Sequence, residues 1–197
     1  MKKIMYVVFS FFLMAECHAE KVVSAVTLQE KNGIFFAPNE KQPFTGTVVG
    51  NYSNGQKEGE IELINGTLTS SIKWYENGQK KEELNCKDGM KNGKCVGTQS
   101  MVEWYENGQK KSELNGRDGF DFAEFDKLDD PNFKLETIKG SGNGITWYED
   151  GQKKQEFYIK DGKINGTIWN EDNQKQMEVK ITLKNGKIIR DVLFEKK

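Results

Sequence analysis

Five glutamates recur at one position of a repeated segment: Glu60, Glu83, Glu113, Glu156 and Glu178. Paired carboxylates are what general acid–base and glycosidic chemistry require, one held protonated and one ionised. Here they return once per repeat and are flanked by lysines, so they read as a salt-bridged ladder on a solvated face. No other catalytic set is present. The only histidine, His18, lies at the end of an N-terminal apolar segment, which leaves no Ser-His-Asp or Cys-His arrangement. The glycines sit in turn sequences, not in a phosphate-cradling loop ahead of a helix. Cys86 and Cys95 are too few for a zinc site. The acidic residues Asp121, Glu124, Asp126, Asp129 and Asp130 lack the ligand spacing of a calcium loop and read as a solvated loop. The sequence therefore predicts a non-enzymatic chain with no catalytic residue, cofactor or metal.

The elements that carry these residues are set by the repeat. Trp74-Tyr-Glu-Asn-Gly78-Gln-Lys, Trp104-Tyr-Glu-Asn-Gly108-Gln-Lys and Trp147-Tyr-Glu-Asp-Gly151-Gln-Lys are evident copies. Asn51-Tyr-Ser-Asn-Gly55-Gln-Lys precedes them, and Trp169-Asn-Glu-Asp-Asn173-Gln-Lys follows. Successive copies start 23, 30, 43 and 22 residues apart. An apolar residue follows each repeated glutamate: Ile61, Leu84, Leu114, Phe157 and Val179. Asn-Gly or Asp-Gly between extended segments is a strong hairpin signal, predicting a tight turn with both central residues at positive φ. Asn173 stands in for glycine in the last copy. A looser turn, Lys87-Asp-Gly-Met-Lys-Asn-Gly93 or Lys160-Asp-Gly-Lys-Ile-Asn-Gly166, closes the unit.

Neighbouring residues on a strand point to opposite faces. Stacked hairpins thus predict a tryptophan row (Trp74, Trp104, Trp147, Trp169) on one face and a tyrosine row (Tyr52, Tyr75, Tyr105, Tyr148) on the other. These rows either line an extended binding groove or pack between repeats. A lone hairpin is marginal in water, so the copies must pair edge to edge. The prediction is an all-β chain, an elongated twisted antiparallel sheet of repeated β-hairpins preceded by a signal-peptide helix. Its terminal edge strands are open to self-association.

Lys2-Lys3 followed by the apolar run 4–15 reads as an export signal cleaved after Ala19. Glu16 before Cys17 disfavours lipid anchoring there. The expected organisation is a signal peptide over residues 1–19, a lead-in segment over 20–46, and a hairpin array over 47–197 with an acidic insertion at about 120–142. Export to the periplasm, envelope or exterior favours a disulfide between Cys86 and Cys95. Aligning the two Lys-Asp-Gly turns places them where Ile159 and Ile168 stand, facing each other across a hairpin. A reduced apolar pair is the alternative. With 29 basic against 30 acidic residues, no long-range field attracts nucleic acid or an anionic membrane surface.

The unit W/Y-Y-E-N-G-Q-K-K-x-E-φ followed by K-D-G-K-x-N-G resembles the bacterial variant of the MORN repeat (membrane occupation and recognition nexus). Leu28-Gln-Glu-Lys-Asn-Gly33-Ile-Phe-Phe and Pro43-Phe-Thr-Gly46 look like the start of YwqK-type proteins. That resemblance, covering most of residues 28–190, implies a MORN-like hairpin array and an antitoxin or immunity-type role, neutralising a toxin. The aromatic rows imply instead a scaffold binding a protein or peptide in the cell envelope. Binding to membrane lipid ranks behind both.

Overall fold

The computed structural model describes residues 22–24, 28–117, 119–120, 140–161, 163–172, 174–184 and 187–193. The signal-type segment 1–19, the acidic residues 121–130 and Asn173 lie outside these. The strands are β1 (Val22–Ser24), β2 (Gln29–Lys31), β3 (Ile34–Phe36), β4 (Gly46–Asn51), β5 (Lys57–Ile64), β6 (Thr67–Trp74), β7 (Lys80–Cys86) and β8 (Met90–Lys91). They continue with β9 (Lys94–Cys95), β10 (Gln99–Trp104), β11 (Lys110–Arg117), β12 (Ser141–Trp147), β13 (Lys153–Lys160), β14 (Lys163–Trp169), β15 (Lys175–Lys184) and β16 (Lys187–Leu193).

Twelve strands form one sheet in the order β1-β4-β5-β6-β7-β10-β11-β12-β13-β14-β15-β16. At roughly 4.8 Å per strand the sheet extends about 50 Å across its strands. Every pairing from β4 onward is between successive array strands and antiparallel, as the hairpin repeat predicts. The lead-in segment adds two features the repeat does not encode. Its β1 pairs parallel to β4, and β2–β3 forms a separate hairpin.

The two turn types are exchanged relative to the sequence expectation. The tight two-residue turns, with both central residues left-handed, lie at the other end of the hairpins. Asn65 and Gly66 (φ 50° and 72°) join β5 to β6, and Asn92 and Gly93 (51° and 74°) join β8 to β9. Asp161 (51°) begins the equivalent turn between β13 and β14. The repeated Asn-Gly segments instead form five-residue loops in which only the glycine is left-handed. Gly55, Gly78, Gly108 and Gly151 have φ of 85°, 82°, 84° and 86°.

The register places the repeated apolar residues on one face. Val48, Ile61, Ser71, Leu84, Met101, Leu114, Gly144 and Phe157 face one another in succession. Leu63, Cys86, Ile159 and Ile164 share that face two residues away, and the buried strand residues Val48, Leu63, Cys86, Leu114, Phe157, Ile159 and Ile164 all belong to it. Burying each such side chain contributes about 1.5–3 kcal/mol. This core face is covered piecewise. Over β4–β6 lies the β2–β3 hairpin, bound through Phe35 N–H to the Gly66 carbonyl (2.9 Å) and completed by Phe44 and Ala37. Gly66 allows this approach, because a Cβ there would sit 2.5 Å from Ile34 Cγ2.

The eight residues added before Trp104 form the small β8–β9 hairpin. Gly89 presses on Thr67, where a Cβ would come within 2.6 Å of Thr67 Cγ2. Cys86 and Cys95 form a disulfide pair with Cα atoms 5.2 Å apart. Their placement corrects the alignment. Cys86 lies opposite Gln99, and Cys95 pairs with Met90 inside the added hairpin, so the bond clasps that hairpin to β7. The second insertion is shorter than 120–142 at its far end, since Ser141 and Gly142 already belong to β12, opposite Arg117 and Gly116. At its near end Phe120 is buried over Gly116 and Gly142, and its carbonyl accepts from Gln99 Nε2.

Candidate functional site

The face opposite the core carries the repeated charged and tryptophan positions. Each loop is followed by a one-residue bulge. Trp74 opposes Lys80 while Lys73 opposes Glu82, so Lys81 is the extra residue. The same irregularity falls at Glu58, Lys111, Lys154 and Gln176. In a regular strand residues i and i+3 point to opposite faces. The extra residue restores their match. Each lysine therefore reaches the glutamate three residues on: Lys57–Glu60 (2.6 Å), Lys80–Glu83 (2.6 Å), Lys110–Glu113 (2.5 Å) and Lys153–Glu156 (2.9 Å). The Lys80 hydrogen bond holds the Glu83 carboxyl below its ordinary range.

The same four ammonium groups lie over the tryptophan of the next repeat. Lys57 stands 5.0 Å from the Trp74 ring centroid, Lys80 5.6 Å from Trp104, Lys110 5.9 Å from Trp147, and Lys153 5.3 Å from Trp169. Such contacts contribute about 0.5–1 kcal/mol each at exposed sites. The result is a continuous ladder of tryptophan, lysine and glutamate in which all four rings stay half-buried. Val49, Ile72, Val102 and Ile145 alternate with the glutamates across it.

The tyrosine row has a different use. Tyr52 Oη donates to the Trp74 carbonyl (2.6 Å), Tyr75 to Trp104 (2.9 Å), Tyr105 to Trp147 (2.8 Å) and Tyr148 to Trp169 (3.0 Å). Burial raises the Tyr52 and Tyr105 hydroxyl pKa values above the usual 10, keeping them as donors. Lys81 and Lys154 lie over Tyr75 and Tyr148. Tyr52 and Trp74 both border a cleft of about 520 Å³ that reaches Val48, Ile61, Leu68, Leu84 and Met90. The tyrosines join one repeat to the next.

The loops stack as well. Asn54, Asn77, Asn107 and Asp150 each accept, through Oδ1, the N–H two residues on (2.9 Å in all four). Asn77 and Asn107 Nδ2 donate to the Glu106 and Glu149 carbonyls of the following loops (2.9 and 3.1 Å). The Gln79 and Gln109 side chains cover Gly108 and Gly151 of those loops. In the last repeat Asn170 replaces tyrosine, and its Oδ1 accepts from the Gln174 N–H (2.7 Å). Among the described residues, no group of three or more His, Cys, Asp or Glu is placed to hold a metal ion.

No protein-family model, curated protein or solved structure matches the chain.

Proposed function

We propose that the chain is an exported, non-enzymatic scaffold whose tryptophan-bearing face binds a protein or peptide in the cell envelope. One observation carries this reading: four half-buried tryptophans, each backed by a lysine–glutamate pair, run in register along the sheet face opposite the core. Tryptophan is favoured as an interface anchor, and a ring already held by its neighbours loses little freedom on binding. The tyrosines, engaged between repeats, are excluded from the proposed contact surface. The Cys86–Cys95 pair fits an oxidising compartment, in keeping with the signal-like N-terminus. The repeat is assigned to MORN-type units on sequence resemblance alone.

The test is capture from an envelope extract on immobilised protein, with wild type compared against a Trp104→Ala, Trp147→Ala double variant of unchanged circular dichroism. Loss of a specifically retained protein in the variant supports the reading. Equal retention on both contradicts it.

A further inference from the structure

On the tryptophan-bearing side of the sheet, bordering the ladder at Ile145 and Glu156, a trench of about 420 Å³ crosses β12 to β15. One wall is Ile145, Glu156, Thr167 and Glu178; the other is Asn143, Tyr158, Asn165 and Lys180. The floor is main chain at Gly144, Phe157 and Gly166, and Gly144 makes room for the Phe157 ring on the core side. Asn143 and Tyr158 also border a second depression of about 220 Å³ over β11 and β12, which extends the groove past Asn115 to Arg117.

Three properties define what this groove accepts. Its charges balance within the trench: Lys153 clasps Glu156 at 2.9 Å, and Lys180 stands against Glu178. An uncharged ligand therefore meets no net field. Asn115, Asn143 and Asn165 each present a carbonyl acceptor and two N–H donors in one plane, a geometry that serves paired hydroxyls. They lie on β11, β12 and β14, with Tyr158 of β13 between the last two, so they are spaced by one and then two inter-strand steps of about 4.8 Å along the path of an extended chain. Tyr158 is 49 % exposed, a large aromatic surface that the fold leaves uncovered. Pyranose rings present such a surface with a flat face of C–H bonds to stack against, while their hydroxyls reach the amides on either side.

We infer that this trench binds a glycan: an uncharged, hydroxyl-rich saccharide chain lying across β12–β15, stacked on Tyr158 and hydrogen-bonded by Asn143 and Asn165. The trench shares Ile145 and Glu156 with the ladder but none of its tryptophans, so the variants below separate saccharide binding from the proposed protein-binding role.

The experiment is calorimetric titration of the purified mature chain with soluble tetrasaccharides of glucose and of N-acetylglucosamine. Saturable binding to either probe is expected. Tyr158→Ala should weaken it at least tenfold, and a solvent-facing Asn143→Ala, Asn165→Ala double variant should do the same without shifting the thermal midpoint. Trp104→Ala should leave it unchanged. Absence of saturable binding at millimolar saccharide overturns the inference. So does wild-type affinity in both the Tyr158 and the Asn143/Asn165 variants. A trench that binds only extended peptides, with the same variants abolishing that binding, overturns it as well.

Discussion

Tyr105 shows how one atom joins two repeats: its hydroxyl donates to the Trp147 carbonyl at 2.8 Å, 42 residues along the chain. Tyr105→Phe removes that bond while keeping the ring, and should cost about 1 kcal/mol, read from the denaturant midpoint at unchanged slope. Three ionisable groups make the stability of the array depend on pH. The folded-state pKa of Glu83 is depressed by Lys80, so the stability of that clasp is present above the unfolded carboxylate value of about 4.3 and lost as pH falls through the lower folded value. Exposed pairs of this kind contribute roughly 0.2–1 kcal/mol each. Glu83→Gln should accordingly flatten the stability-versus-pH slope in the acid range. Tyr52 and Tyr105 are raised, so their contribution is present below about pH 10 and lost above it, as an alkaline titration of the circular dichroism signal would show. Much of this was legible because each residue type recurs at a fixed position. The glutamates' lysine partners were legible in kind. The pairing at i+3 was not, because a period-two reading of Lys80-Lys81-Glu82-Glu83 sends Lys80 and Glu83 to opposite faces. A bulge leaves no composition of its own, here only a second lysine. The asparagine before each glycine was likewise misassigned to a left-handed turn. Its side chain instead caps the loop, a role that the same Asn-Gly pair also permits.

At the scale of elements, hairpins were readable from the turn residues and the spacing, whereas the covering pieces were not. The β2–β3 hairpin, the β8–β9 hairpin and Phe120 occupy irregular stretches without a period, and only their long-range contacts give them a place. The disulfide shows the difference: pairing Cys86 with Cys95 followed from their number and expected compartment, but β9 is an insertion and not the continuation of a repeat strand. Reduction, or a Cys86→Ser, Cys95→Ser double change, should lower stability by roughly 2.5 kcal/mol. Hydrogen exchange should then accelerate first at the Val96 amide, which bonds to the Gly89 carbonyl at 2.9 Å in the clasped hairpin. Gly144 makes a second case. A Cβ at that position would collide with the Phe157 ring and Leu114, so Gly144→Val should destabilise by at least 1–3 kcal/mol, the range for overpacking. Thermal denaturation of the variant checks this, and an unchanged midpoint would mean that the ring is not seated there.

For the molecule as a whole, array strands from β5 onward pair only with the array strands before and after them in the chain. Stability in such arrays is close to a sum of unit and interface contributions. A chain ending at residue 169 should therefore keep the sheet from β4 through β14, with unfolding at a lower temperature and limited proteolysis stopping at the new end. The overall architecture was the most legible level, since five copies of one unit specify a stacked sheet whatever the details of their turns. The different uses of the two aromatic rows emerged only with the contacts: tyrosines joining repeats, tryptophans packed beside lysine and glutamate. That difference is tested most directly by in-cell photocrosslinking with a photoreactive residue at Glu113, on the tryptophan-bearing face, or at Lys111, whose ammonium pairs with Glu103 on the core side at 3.5 Å. A discrete partner crosslinked in the envelope fraction from position 113 and absent from position 111 is the predicted result. Equal products from both positions, or none from 113 in a folded and exported protein, would contradict a binding role for the tryptophan face.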